Sequence, residues 1–300
     1  MKKTLTWGMI MMIMLFSTAC SEEPKTEGSE QTESSLTFTL DTYPIVDGST
    51  VTIPLSENMA SKLLNMSLEE AQQHVLHNTT HQAYVNLIEG KADIIFVTGP
   101  SEEELQLAEE SQMELEVIPI VKEGFVFLVN EENPVEDLTL EEIIKIYSGE
   151  ITNWSEVGGD DVPIKAYQRP VNSGSQTGML ELVMKEVPLM EAPTELVVAM
   201  MGELIDAVAA YNNEPDAIGY SYYYYVTDMW GQKETKLLKV NEVYPEPKTI
   251  SSEEYPITTS YYAVIRKDEP ADSNVRKMIQ WILSDEGQKV AEEAGYVPLH

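Results

Sequence analysis

Arg169 and the run Ser173-Gly174-Ser175 are residues whose types and spacing fit a defined chemistry, the holding of a small oxyanion. A tetrahedral oxyanion needs several hydrogen-bond donors converging on one point. The start of a helix supplies them, through unpaired N–H groups and the positive end of its dipole. The pattern predicts a helix over 176–185, which puts the Ser-Gly-Ser run at its N-terminus. Gly174 lets the backbone approach closely, and the two hydroxyls add donors. Arg169, four residues before Ser173, offers a permanently charged fork able to grip an anion bidentately. Taken alone, the same residues also fit a surface arginine beside an ordinary helix cap.

Any such site would be a local exception in this chain. Its 300 residues hold 51 Asp and Glu against 19 Lys and Arg, a net charge of −32. That balance excludes a sequence-independent grip on nucleic acid or on an anionic membrane surface. Only three arginines are present, Arg169, Arg266 and Arg276, so each bears examination. A hydrophobic content of 43% is enough to bury a core and excludes wholesale disorder, and the length fits one or two domains.

The N-terminus reads as an export signal. Lys2 and Lys3 precede an apolar run over 5–16, too short for a comfortable membrane span, and the small residues Ser17-Thr18-Ala19 follow. Residues 1–19 are therefore expected to be removed. Cys20, the only cysteine, follows Ala19 directly and resembles the lipid-accepting cysteine of bacterial lipoprotein signals, although Ser17 stands where those usually carry Leu. A lipidated Cys20 would anchor the protein outside the cytoplasm and leave no disulfide to stabilise it. Residues 20–35 lack apolar anchors and read as a flexible acidic tether.

From Leu36 onward short β-rich runs alternate with helical stretches, without an internal repeat. Strands are predicted over 36–40, 92–97, 117–120, 125–130, 164–168, 217–220 and 261–265. Residues 46–50 lead into a turn. Helices are predicted over 56–64, 67–73, 82–88, 102–111, 140–147, 196–212, 275–283 and 286–293, with capping boxes at Ser67/Glu70 and Thr139/Glu142. This grammar argues an α/β architecture of largely parallel sheets, in two lobes joined by strand crossovers, with a small-ligand cleft between them. The expected lobes are 36–122 with 258–300, and 123–257.

Several segments together carry a family resemblance: LTLEEIIKIYSGEITNWSEVGG (138–159), IKAYQRPVNSGSQT (164–177), VDGSTVTIPL (46–55), NLIEGKADIIF (86–96), DAIGYSYYYY (216–225) and SDEGQKVAEEAGYVPL (284–299). In this order and spacing they resemble the phosphate-specific family of ABC-transporter solute-binding proteins, of the type II periplasmic-binding-protein fold. The resemblance implies a monomeric receptor for phosphate or a related oxyanion, working with an ABC permease and ATPase. It implies no cofactor and no enzymatic step. Residue by residue, Arg169, Ser173, Gly174 and Ser175 match the family's arginine and Ser-Gly-Thr turn. Thr50, with Ser49 adjacent and the Val51 N–H available, matches its N-terminal hydroxyl, and Thr80 matches a serine position. One departure stands out. After ADIIFV the family places an aspartate that accepts the ligand's remaining proton, and this chain has Thr98 there. Its loss weakens discrimination against a fully deprotonated anion such as sulfate and leaves room for a different small ligand. A surface signalling or interaction protein on the same fold is the rival outside transport.

Other signals point to structure. His74, His77 and His81 would share one face of a continuous helix, but Asn78-Thr79-Thr80 interrupts it, so they read as surface histidines and no metal site is expected. Tyr220 and Tyr222 to Tyr225 read as cleft wall and core. No GxSxG, HExxH or P-loop pattern is present, and no carboxylate pair stands out as a catalytic dyad.

Overall fold

The run Ile94-Ile95-Phe96-Val97 is buried at every residue, as a strand covered on both faces must be. Around it the computed structural model describes residues 36–209, 215–231 and 234–300. The export signal, Cys20 and the tether lie outside the described residues. The described strands are β1 (Val46–Gly48), β2 (Ile94–Val97), β3 (Leu115–Asn130), β4 (Asp137–Leu138), β5 (Lys165–Ala166), β6 (Ala217–Tyr222), β7 (Thr235–Leu237), β8 (Lys239–Val240) and β9 (Thr258–Arg266). The α-helices are α1 (Ile53–Leu64), α2 (Leu68–Ala71), α3 (Thr80–Ile88), α4 (Glu102–Glu110), α5 (Leu140–Ser148), α6 (Gly174–Gly178), α7 (Met201–Ala209), α8 (Pro247–Ser251), α9 (Asn274–Ile282) and α10 (Asp285–Glu293).

The strands form one sheet in the order β1-β2-β9-β3-β6-β5, with β7 also on β3, and β4 pairs β8 separately. The α/β class is as expected, but the sheet is mixed. Pairing is parallel at β1–β2, β5–β6 and β4–β8, and antiparallel wherever β3 or β9 takes part. Those two long strands run side by side through the middle of the sheet. The first part of β3, through Gly124, pairs with β9, and from Phe125 it pairs with β6. The two strands predicted over 117–120 and 125–130 are thus one, with a bulge between Pro119 and Val121.

Local signals build the helices. α1 has Pro near its start and buries Leu55, Met59 and Leu63, four residues apart on one face, before ending at Asn65 with φ 52°. α2, α4 and α5 all begin in capping boxes, at Ser67/Glu70, Ser101/Glu104 and Thr139/Glu142. Each fully buried Leu, Ile or Phe of the core contributes about 1.5–3 kcal/mol.

Two predicted elements differ. Residues 36–40 form no strand, because the Phe38 N–H donates to Leu63 O at the end of α1, 2.8 Å away, instead of joining the sheet. The helix expected over 196–212 is described only as Met201–Ala209. Upstream of it Thr194–Leu196 is a 3-10 turn, and the Gln168 N–H donates to Leu196 O at 2.8 Å while Gln168 O accepts from the Val198 N–H at 2.9 Å.

Candidate functional site

β1 and β2 run parallel and β5 runs parallel to β6; the chain leaving β1, β2 and β5 at their C-terminal ends turns toward one cavity of about 350 Å³. Open α/β sheets offer ligand space at such strand ends. After β1 come Ser49, Thr50 and Val51, in a 3-10 turn that runs straight into α1. Thr98 follows β2, and Thr80 is the first residue of α3. Beyond β5 stand Arg169, Ser173 and Gly174, the last opening α6. All eight line the cavity. The first turn of a helix leaves N–H groups without an intrahelical acceptor, so three helical starts give this space a concentration of donors.

The ninth residue read from the sequence, Ser175, is fully buried and is not on the cavity wall. Its Oγ accepts from Arg169 Nη1 at 3.3 Å, so it sits behind the guanidinium and steadies it. Arg169 also donates from Nε to Val198 O at 2.9 Å and from Nη2 to Ala199 O at 3.0 Å. Its backbone N–H is shared between Gln176 Oε1 and Tyr220 Oη. Three of the five guanidinium N–H groups are thus engaged, and two have no partner among the described residues. These bonds account for the start of α7 at Met201: the Val198 and Ala199 carbonyls serve Arg169 rather than a helix.

The electrostatics separate Arg169 from the other arginines. Arg266 pairs with Asp93 at 3.2 Å and Arg276 with Glu116 at 2.7 Å. Arg169 is 9% exposed and, among the described residues, has no carboxylate within ion-pair distance. Burial pulls its pKa below the usual arginine value, and Tyr220, Tyr225 and the more distant Glu203 oppose this only in part. No Asp or Glu among the described residues lines the cavity, in a chain of net charge −32. A buried cation facing a space without carboxylates is suited to hold an anion.

Two hydroxyls complete the polar wall. Thr98 Oγ1 is buried and has no hydrogen-bond partner among the described residues. A β-carbon on Gly174 would stand 2.6 Å from Thr98 Oγ1 and 2.7 Å from Thr80 Oγ1, so only glycine lets the start of α6 come this close to both. Thr79 and Asn172, also on the wall, have φ of 68° and 64°, strained for residues with side chains. Glu102, a conceivable stand-in for the aspartate absent at Thr98, is exposed and away from the cavity.

Several wall residues were not expected. His81, read as a surface residue, lines the cavity and pairs with buried Glu104. Met200, Met201 and Tyr225 give the wall an apolar flank. Tyr222 lines it and donates to Gly174 O at 2.9 Å, while Tyr220 lies in the core. A histidine 23 residues from its carboxylate partner carries no local signal of that pairing. Among the described residues no cluster of His, Cys, Asp and Glu could hold a metal ion.

Residues 37–286 match the PBP superfamily domain. The chain belongs to the PBP superfamily. Within that superfamily it is 28% identical to the phosphate-binding protein PstS of Borreliella burgdorferi over 180 residues, 58% of this chain and 63% of that protein, so it spans less than two thirds of that relative. It is 26% identical to PstS of Staphylococcus haemolyticus over 263 residues, covering 84% of this chain and 79% of that one. A Clostridium perfringens protein, assigned as a phosphate ABC transporter substrate-binding protein and crystallised with bound phosphate, superposes with TM-score 0.66 at 26% identity, over 86% of this chain and 99% of its own. These relatives are named as binding proteins.

Proposed function

We propose that this protein is an extracytoplasmic solute-binding lipoprotein that captures phosphate or a related small oxyanion and delivers it to an ABC permease and its ATPase. The observation that carries the proposal is Arg169: buried, without a carboxylate partner among the described residues, and facing a cavity that no carboxylate lines. The ligand contacts are Arg169, Ser173 and Gly174 on one side and Ser49, Thr50, Val51, Thr80 and Thr98 on the other, with Ser175 holding the guanidinium. Residues 36–122 with 258–300 form one lobe and 123–257 the second, hinged where β3 and β9 run between them. An anion bonded to both lobes favours the closed state by the difference in its affinity for the two. Cys20 carries the lipid anchor, and the protein acts as a monomer. Among the described residues no helix is long and apolar enough to cross a membrane, so membrane attachment is assigned to that anchor alone.

A second reading has its own support. Met200, Met201 and Tyr225 flank a cavity of about 350 Å³, which leaves room for an oxyanion with an organic substituent, such as a phosphate monoester or a phosphonate. Mass spectrometry of ligand carried through gentle purification separates the two. Inorganic phosphate supports the first reading and an organic phosphorus compound the second; a ligand with no anionic group contradicts both.

A further inference from the structure

Arg169 and His81 are the basic side chains on the cavity wall. His81 follows Thr80 in α3, and its Nδ1 lies 3.1 Å from Glu104 Oε1 in α4. Glu104 is fully buried, and its other carboxylate oxygen accepts from the Ser101 N–H at 2.8 Å. Burial pushes the Glu104 carboxyl up, while the bonds from Ser101 and His81 pull it down. Among the described residues His81 is the basic group within ion-pair distance of this carboxylate. A buried carboxylate left without such a partner is strongly destabilising. The other ring nitrogen, Nε2, has no partner among the described residues, and the side chain remains 35% exposed on the cavity wall.

We propose that His81 is a ligand-contacting residue, with Nδ1 held by Glu104 and Nε2 hydrogen-bonded to the bound oxyanion beside Arg169. The proposal rests on the oxyanion reading of the cavity. Imidazole's two nitrogens lie on opposite sides of the ring, so one can be fixed by a carboxylate while the other serves the ligand. With Nδ1 fixed by buried Glu104, the ring presents Nε2 on the wall of the cavity that Arg169 also lines, so an anion held there is contacted from α3 as well as from the guanidinium.

The test follows the His81 ring signals by NMR while the wild-type mature domain is titrated with inorganic phosphate at one pH, alongside calorimetric phosphate affinities of wild type and His81→Gln. The expected result is a change of the Nε2 signal that saturates with phosphate, and a loss of about tenfold in affinity in His81→Gln. An unmoved ring signal, or a variant with the wild-type affinity, overturns the proposal alone. Should His81→Gln fail to fold, the wild-type NMR titration still decides. A wild-type domain that binds no phosphate overturns the phosphate reading and this proposal with it.

Discussion

Gly174 meets Thr98 across the cavity so closely that a β-carbon at 174 would stand 2.6 Å from the threonine hydroxyl. Gly174 follows β5, at one end of the sheet order, and Thr98 follows β2, next to the other end, so this contact records how tightly the two sides approach.

Gly174→Ala should therefore act on closure rather than on folding. The methyl would meet two hydroxyls under 3.0 Å away in the structure described, and would gain space if the two lobes part as proposed. Phosphate affinity is expected to fall by about tenfold or more, equivalent to about 1.4 kcal/mol, with little change in the thermal midpoint. An unaltered Kd by calorimetry would show that the approach is not required for binding.

The hydroxyl at Thr98 sets a second expectation. A carboxylate there would repel an anion with no proton to share, and a threonine does not, so sulfate should bind the wild type within about tenfold of phosphate. Thr98→Asp should widen that gap, at neutral pH, by about 1.4 kcal/mol or more. Competition between the two anions on wild type and variant measures it; equal discrimination in both proteins would remove Thr98 from ligand selection.

Glu123, where β3 passes from β9 to β6, gives a pH dependence with a definite sign. Burial pushes its carboxyl up from 4.5 to about 7, while the N–H groups of Gly124 and Tyr224 partly oppose this. The folded chain thus holds this proton more tightly than the unfolded chain does. Its contribution to stability is full below about pH 4.5 and is lost as pH rises through about 7, a difference of about 3 kcal/mol if fully realised. Urea unfolding at pH 5 and pH 8 should find Glu123→Gln gaining on wild type at the higher pH. Parallel behaviour at the two pH values would contradict the assignment.

What was legible in the sequence was local. The capping boxes at Ser67 and Thr139 form as their spacing indicates, and the glycine-serine turn after Arg169 does open a helix. Eight of the nine residues read as ligand contacts reach one cavity because seven lie where a strand passes into a helix and the eighth, Thr80, opens α3. What was not legible depends on distant partners. Lys122-Glu123-Gly124 falls between the two predicted strands, yet it continues β3 because Ser260, Thr259 and Thr258 of β9 pair with it. Residues 196–200 are apolar at helical spacing, yet lie outside α7 because Gln168 and Arg169 take the backbone groups of Leu196, Val198 and Ala199. His81 reaches the cavity wall opposite no local clue, since its carboxylate partner belongs to the next helix.

The central claim, that Arg169 is the charge on which a small oxyanion is held, is tested most directly by calorimetric titration of the mature domain with inorganic phosphate, in wild type, Arg169→Lys and Arg169→Ala. Hydrogen bonds to charged groups contribute about 1.5–3 kcal/mol each, so losing the fork should cost Arg169→Lys about tenfold or more in affinity. Arg169→Ala should lose about a hundredfold or more. Wild-type affinity retained in Arg169→Ala, or no phosphate binding by the wild type at millimolar concentration, would contradict it.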